Sequence, residues 1–92
     1  MAGRISVTVT GHVQGVGYRY YVTDCAIDRG ISGYVKNNPD GTVSVVAEGE
    51  ESKLQDLIDA MRAAGDPYIH VHDMSVTWET ARQEFRGFFI RR

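Results

Sequence analysis

Ile5, Val7 and Val9 alternate with Arg4, Ser6, Thr8 and Thr10, the period-two pattern of a strand with one buried face, and Gly11 closes the run. The stretch Gly11-His12-Val13-Gln14-Gly15-Val16-Gly17 has no periodicity and reads as a loop. From Tyr18 to Arg29 the spacing becomes helical, with Tyr18, Tyr21, Val22, Cys25 and Ala26 on one stripe and Gly30 as the stop. Ile31 to Asn37 predicts a second strand. Asn38-Pro39-Asp40-Gly41 is a turn sequence, because Pro presets φ at the second position and Gly closes the turn. Thr42 to Glu48 returns as a third strand with Val43, Val45 and Ala47 on one side. Ser52 followed by Gln55 predicts a capping box. The helix behind it carries Leu54, Leu57, Ile58 and Met61 toward a core and stops at Gly65 and Pro67. A strand through Met74, Val76 and Trp78 and a terminal one around Phe85 to Ile90 complete the chain.

The order β-α-β-β-α-β predicts an α+β, ferredoxin-like sandwich: a mainly antiparallel sheet of four to five strands with two helices on one face. In that topology strands one and two run parallel with strand three between them. Their C-terminal ends share one sheet edge, so the glycine loop and Asn37 stand two strand spacings apart, roughly 10 Å. A tetrahedral anion and a water fit in that gap.

Composition narrows the class. With 92 residues, 42% of them hydrophobic, the chain has room for one core and is expected to be a single domain over 1–92 and a monomer. No run approaches the roughly 18 apolar residues of a membrane span. The lone Cys25, on the apolar stripe, supports neither a disulfide framework nor a Cys-rich zinc site, which suits the reducing cytoplasm. A net charge of −2 disfavours broad binding to nucleic acid and leaves only a local cationic pocket for anions.

The loop is where chemistry concentrates. Its glycines let the backbone turn successive N–H groups toward one point, and the following helix start adds unpaired N–H groups and a positive dipole end. The candidate anion cradle comprises Val13, Gln14, Gly15, Val16, Gly17 and Tyr18. Arg19, a planar fork of donors, sits in a first helical turn where a cation is unfavourable unless something negative lies beside it. Read alone, these residues fit a tight turn with a solvated arginine equally well. A nucleotide P-loop is excluded, since no Lys precedes Lys36; a dinucleotide fingerprint is disfavoured by Tyr20 at its third small position. A thiolate phosphatase is disfavoured because Cys25 lies about two turns into the helix. Asn37 shares its strand side with Gly33 and Val35 and also fits a plain turn start.

Gly11-His12-Val13-Gln14-Gly15-Val16-Gly17-Tyr18-Arg19 resembles the first signature of the acylphosphatases, and Gly33-Tyr34-Val35-Lys36-Asn37, continued by Gly41, Val43 and Gly49, resembles their second. The resemblance reaches Phe88 to Ile90. It implies hydrolysis of the carboxyl-phosphate bond of small acyl phosphates, with inorganic phosphate as product and no metal or other cofactor. It also implies that Arg19 binds the phosphoryl group with the loop amides and that Asn37 orients the attacking water. His12 departs from the usual Arg or Lys of the family, which would weaken anion attraction.

Other polar clusters read more plainly. His70, His72 and Asp73 suggest a solvated strand start rather than a metal site. Glu48, Glu50 and Glu51 favour the dipole of the helix behind them. Asp56, Asp59 and Arg62 form its wet face; Arg82, Arg86, Arg91 and Arg92 form a solvated edge. Tyr20 is placed at the pocket mouth. The alternative function is a non-catalytic phosphate-sensing or partner-binding domain on the same fold; a related domain of the family occurs at the start of carbamoyl-phosphate-using maturation proteins, and a chain ending at Arg92 favours the free enzyme. An RNA-binding module of the same element order ranks last, because the strands Ile5 to Thr10 and Thr42 to Glu48 lack the aromatics that stack bases.

Overall fold

The strand that opens the chain is longer than its alternation suggests. In a computed structural model, which describes residues 1–62 and 67–91, β1 spans Ala2–His12. It is followed by α1 (Tyr18–Asp28), β2 (Ser32–Asn37), β3 (Val43–Glu50), α2 (Glu51–Arg62), β4 (His70–Glu79) and β5 (Phe88–Ile90). The sheet order is β4-β1-β3-β2-β5. Neighbours are antiparallel except β2 and β5, which are parallel. β1 and β2 thus run parallel on either side of β3, as the element order predicts, and β5 extends the sheet beyond β2.

The period-two residues Ile5, Val7, Val9, Val35, Val43, Val45 and Ala47 are buried, as are Tyr18, Val22 and Ala26 of α1 and Leu54, Leu57, Ile58 and Met61 of α2. Together they form one core cluster. Each large aliphatic side chain in it contributes about 1.5–3 kcal/mol. The Tyr18 hydroxyl donates to the Met61 carbonyl at 3.0 Å and the Tyr21 hydroxyl to the Ala60 carbonyl at 2.7 Å. These carbonyls belong to the last turn of α2, which has no helical donors of its own, so the two tyrosines fasten α1 to α2. Burial pushes the Tyr18 hydroxyl far above its ordinary pKa, which keeps it a donor.

Several boundaries depart from the pattern. Gly11 and His12 belong to β1 because the pairing with β4 shifts between Thr10 and Gly11 and then continues, with His12 opposite His70. At Gly11 φ is +143°, and a Cβ would meet the His70 carbonyl oxygen at 2.1 Å. Glycine is therefore required by close strand approach there, not by the loop. α2 starts at Glu51, directly behind β3, with the Glu51 amide donating to the Met1 carbonyl at 2.9 Å. Ser52 consequently lies within the first turn and is not the cap. Pro67 sits in a turn, and Gly65 lies outside the described residues. β5 begins at Phe88, later than Phe85, because the segment before it is pulled across the sheet.

That strap explains the largest departure. Arg4 and Glu48 are register partners on β1 and β3, and instead of lying wet they are buried, with a 2.7 Å ion pair between them. Glu48 also accepts the amides of Arg82 at 3.0 Å and Gln83 at 2.7 Å, while Arg4 reaches Glu84 at 3.0 Å and lies 5.3 Å over the Phe85 ring. Burial opposes the Glu48 charge, but the Arg82 amide, Arg4 and the Gln83 amide outweigh it and hold the carboxyl below its ordinary value of 4.5. A carboxyl lowered by folding stabilises the protein above its ordinary pKa, and that stabilisation is lost as pH falls through the lowered value. Glu48→Gln leaves Arg4 short of its main counter-charge. It is expected to cost about 3 kcal/mol in urea unfolding at pH 7 and to flatten the acid limb of stability against pH. An unchanged acid limb in the variant would show that Glu48 is not the titrating group.

Candidate active site

The loop between β1 and α1 is anchored at its start by Val13, which is buried, and shaped by Gly15 at φ +72° and Gly17 at φ +83°. Gly17 occupies the N-cap position of α1 without a side-chain cap, and the first turn contains no acid. The exposed N–H groups and positive end of α1 therefore meet no negative side chain of their own helix. Val13, Gly15, Gly17, Tyr18, Arg19 and Tyr20 line a depression of about 240 Å³. Tyr18 contributes through its position at the start of α1, since its ring is core; Val16 packs against that core.

A second depression, about 430 Å³, is lined by Arg19, Tyr20, Asn37, Ile90 and Arg91. Arg19 and Tyr20 border both hollows and so connect the loop to the end of β2. The register accounts for the juxtaposition: Val43 of β3 is paired with Val9 on one side and Asn37 on the other. The strand ends are thus two spacings apart, roughly 10 Å.

Among the described residues, the Arg19 guanidinium and the Asn37 Oδ1 atom have no protein partner. Among the described residues no carboxylate pairs with Arg19. The Asn37 Oδ1 atom is buried with no hydrogen-bond donor. A buried acceptor left unpaired costs about 1–3 kcal/mol, so its location in a cleft is informative. An arginine and an amide oxygen without protein partners, beside a glycine loop at a helix start, can hold a tetrahedral anion and a water.

Sequence reasoning placed Gln14 in the cradle by its backbone and missed its side chain, whose Nε2 donates to the carbonyls of Asn38 and Thr42, both at 2.8 Å. The family resemblance gave His12, which follows Gly11, an influence on anion attraction. His12 instead lines a separate hollow of about 370 Å³ with Pro67, Tyr68, His70 and His72. Among the described residues no group of three His, Cys, Asp or Glu side chains is arranged to hold a metal ion. Tyr20 stands at the mouth, 68% exposed. Arg91 is exposed beside the edge strand β5, as read, and it also lines the Asn37 cleft with its guanidinium 3.9 Å above the Tyr34 ring. Arg82 pairs with Glu79 and Glu84, Arg86 is exposed, and Arg92 lies outside the described residues.

The family model of the acylphosphatases matches residues 5–90. The chain is 46% identical over 84 residues to the acylphosphatase of Bacillus subtilis, covering 91% of each protein. To that of Deinococcus radiodurans it is 44% identical, covering 89% of this chain and 95% of that one. The chain belongs to the acylphosphatase family. The crystal structure of the Bacillus subtilis acylphosphatase superimposes with a TM-score of 0.92 over 100% of both chains at 39% identity. As a member of that family the chain is a hydrolase that cleaves acyl phosphates to a carboxylate and inorganic phosphate. Among its described residues no helix is long and apolar enough to cross a membrane.

Proposed function

We propose that the reaction is an in-line attack of water on a phosphoryl group held by Arg19 and the amides of Val13, Gln14, Gly15, Val16, Gly17 and Tyr18, with Asn37 orienting the water. The observation that carries this reading is the shared cleft of an unpaired Arg19 and an unpartnered, buried Asn37 Oδ1. Asn37 can hold water through its carbonyl but cannot take a proton at neutral pH. Among the described residues, the groups lining the cleft include no carboxylate or imidazole to act as general base. Positioning and charge stabilisation remain, and phosphoryl transfer depends chiefly on these. Such a site favours a leaving group that needs no proton. The carboxylate released from an acyl phosphate qualifies, with a conjugate acid of pKa near 4. The water's proton passes to a substrate oxygen.

The grip on the phosphoryl end, rather than on the acyl part, suits several small acyl phosphates. We further propose that residues 1–92 act as a single-domain, monomeric, cytoplasmic enzyme with no membrane or nucleic-acid partner. The lone Cys25, the net charge of −2 and the lack of aromatics on the central strands β1 and β3 support this.

The test is hydrolysis of benzoyl phosphate in excess EDTA with inorganic phosphate added as inhibitor. Turnover that survives the chelator and is competitively inhibited by phosphate is expected. A folded protein that binds phosphate but turns over nothing would instead make this a sensing or docking domain.

A further inference from the structure

The two halves of the site arrive on different elements. The anion loop follows β1, Asn37 ends β2, and β3 runs between them. Their separation must nevertheless be held closely, because a water misplaced by about 1 Å relative to the phosphorus costs on the order of 100-fold in rate. The Gln14 side chain spans this gap. Its Nε2 donates one hydrogen to the Asn38 carbonyl and the other to the Thr42 carbonyl, both at 2.8 Å. Asn38 directly follows Asn37. Thr42 closes the same hairpin turn, accepting the Asn38 amide at 2.8 Å.

Both partners are carbonyl oxygens, so the nitrogen of the side-chain amide must face them. Among neutral side chains only Gln and Asn carry two hydrogens on one nitrogen, and Asn is one methylene shorter. Glutamate offers no donor and would set its charge against two carbonyls. The residue type therefore matches a clamp from the middle of the anion loop onto the turn that carries Asn37.

We propose that Gln14 is a positioning residue, setting the phosphate cradle at the correct distance from the water held by Asn37. This rests on the roles proposed above for Arg19 and Asn37 and extends them. The cradle amides remain in Gln14→Ala, so the loss falls on kcat: at least about 10-fold, against less than threefold in the inhibition constant of inorganic phosphate. A double-mutant cycle separates positioning from general structure. In an Asn37→Ala background there is no oriented water left to misplace, and Gln14→Ala should change kcat less than twofold. Equal losses in both backgrounds would overturn the proposal, as would an unchanged kcat in the single variant. Nuclear magnetic resonance gives a readout independent of turnover. Gln14→Ala should shift the Gly15 and Gly17 amide resonances together with the Asn37 side-chain amide, and an unmoved Asn37 amide would also overturn the clamp. If Asn37→Ala alone keeps full activity, the water role of Asn37 falls while these resonances still decide whether Gln14 couples the two segments.

Discussion

Arg19→Gln should lower kcat/KM for benzoyl phosphate by at least about 100-fold, abolish competitive inhibition by inorganic phosphate and slightly raise thermal stability. The first two effects follow from charge and geometry. A guanidinium offers two parallel donors and a full positive charge to a phosphoryl group whose negative charge must be stabilised in the transition state. Glutamine keeps a donor but loses the charge and the fork. The third effect follows from what Arg19 does not do in the folded protein. Among the described residues it has no carboxylate partner, and its cation lies in the first turn of α1 against the positive end of the helix. Removing such a charge relieves about 0.3–1 kcal/mol of repulsion. Calorimetry beside steady-state kinetics reads both. A variant that loses activity and melts lower would assign Arg19 a structural task; one that keeps its turnover would remove it from the site. Arg19→Lys should fall between, since it restores the charge without the two-pronged contact.

How far these conclusions were visible in the chain depends on whether the determining contacts are local. The alternation of Ile5, Val7 and Val9 and the stripe of Tyr18, Val22 and Ala26 report burial on one side of one element, and both faces are buried as read. With the element order, that was enough to bring the glycine loop and Asn37 to one sheet edge. The polar face of the sheet was not legible in the same way. Alternation says that Arg4 and Glu48 point away from the helices. It does not say that residues around Arg82, Gln83 and Phe85, which have no periodicity, fold over them. Gln14 is a similar case. Its bonds reach 24 and 28 residues along the chain, and a side-chain bond to distant backbone carbonyls leaves no local trace. The bulge beside Gly11 depends on what β4 does opposite it, so it too was invisible until the strands were paired. The place of Arg91 beside Asn37 was not visible either, because that cleft exists only once β5 lies parallel to β2.

Asn37→Ala is expected to separate binding from chemistry. The variant should lose at least about 100-fold in kcat on benzoyl phosphate while the inhibition constant of inorganic phosphate changes less than threefold. In the proposed mechanism phosphate is gripped by Arg19 and the loop amides, which the substitution leaves in place. What disappears is the acceptor that fixes a water in line with the bond to be broken. Stability supplies a second check. The Asn37 Oδ1 is buried without a protein donor, so truncation relieves the cost of an unsatisfied acceptor while losing the packing of the side chain, and these opposing effects should leave the melting temperature no lower than that of the native protein. If Asn37 instead served mainly to start the Asn38-Pro39 turn, its loss would lower stability and weaken phosphate binding along with kcat, because the turn is tied to the loop through Gln14. Asn37→Asp sharpens the distinction. A carboxylate can still accept a hydrogen bond from water, but it places a negative charge beside the phosphoryl group, so phosphate inhibition should weaken above the aspartate pKa and recover as pH falls through it. Phosphate inhibition of Asn37→Asp that does not vary with pH would place Asn37 too far from the phosphoryl group to orient its attacking water.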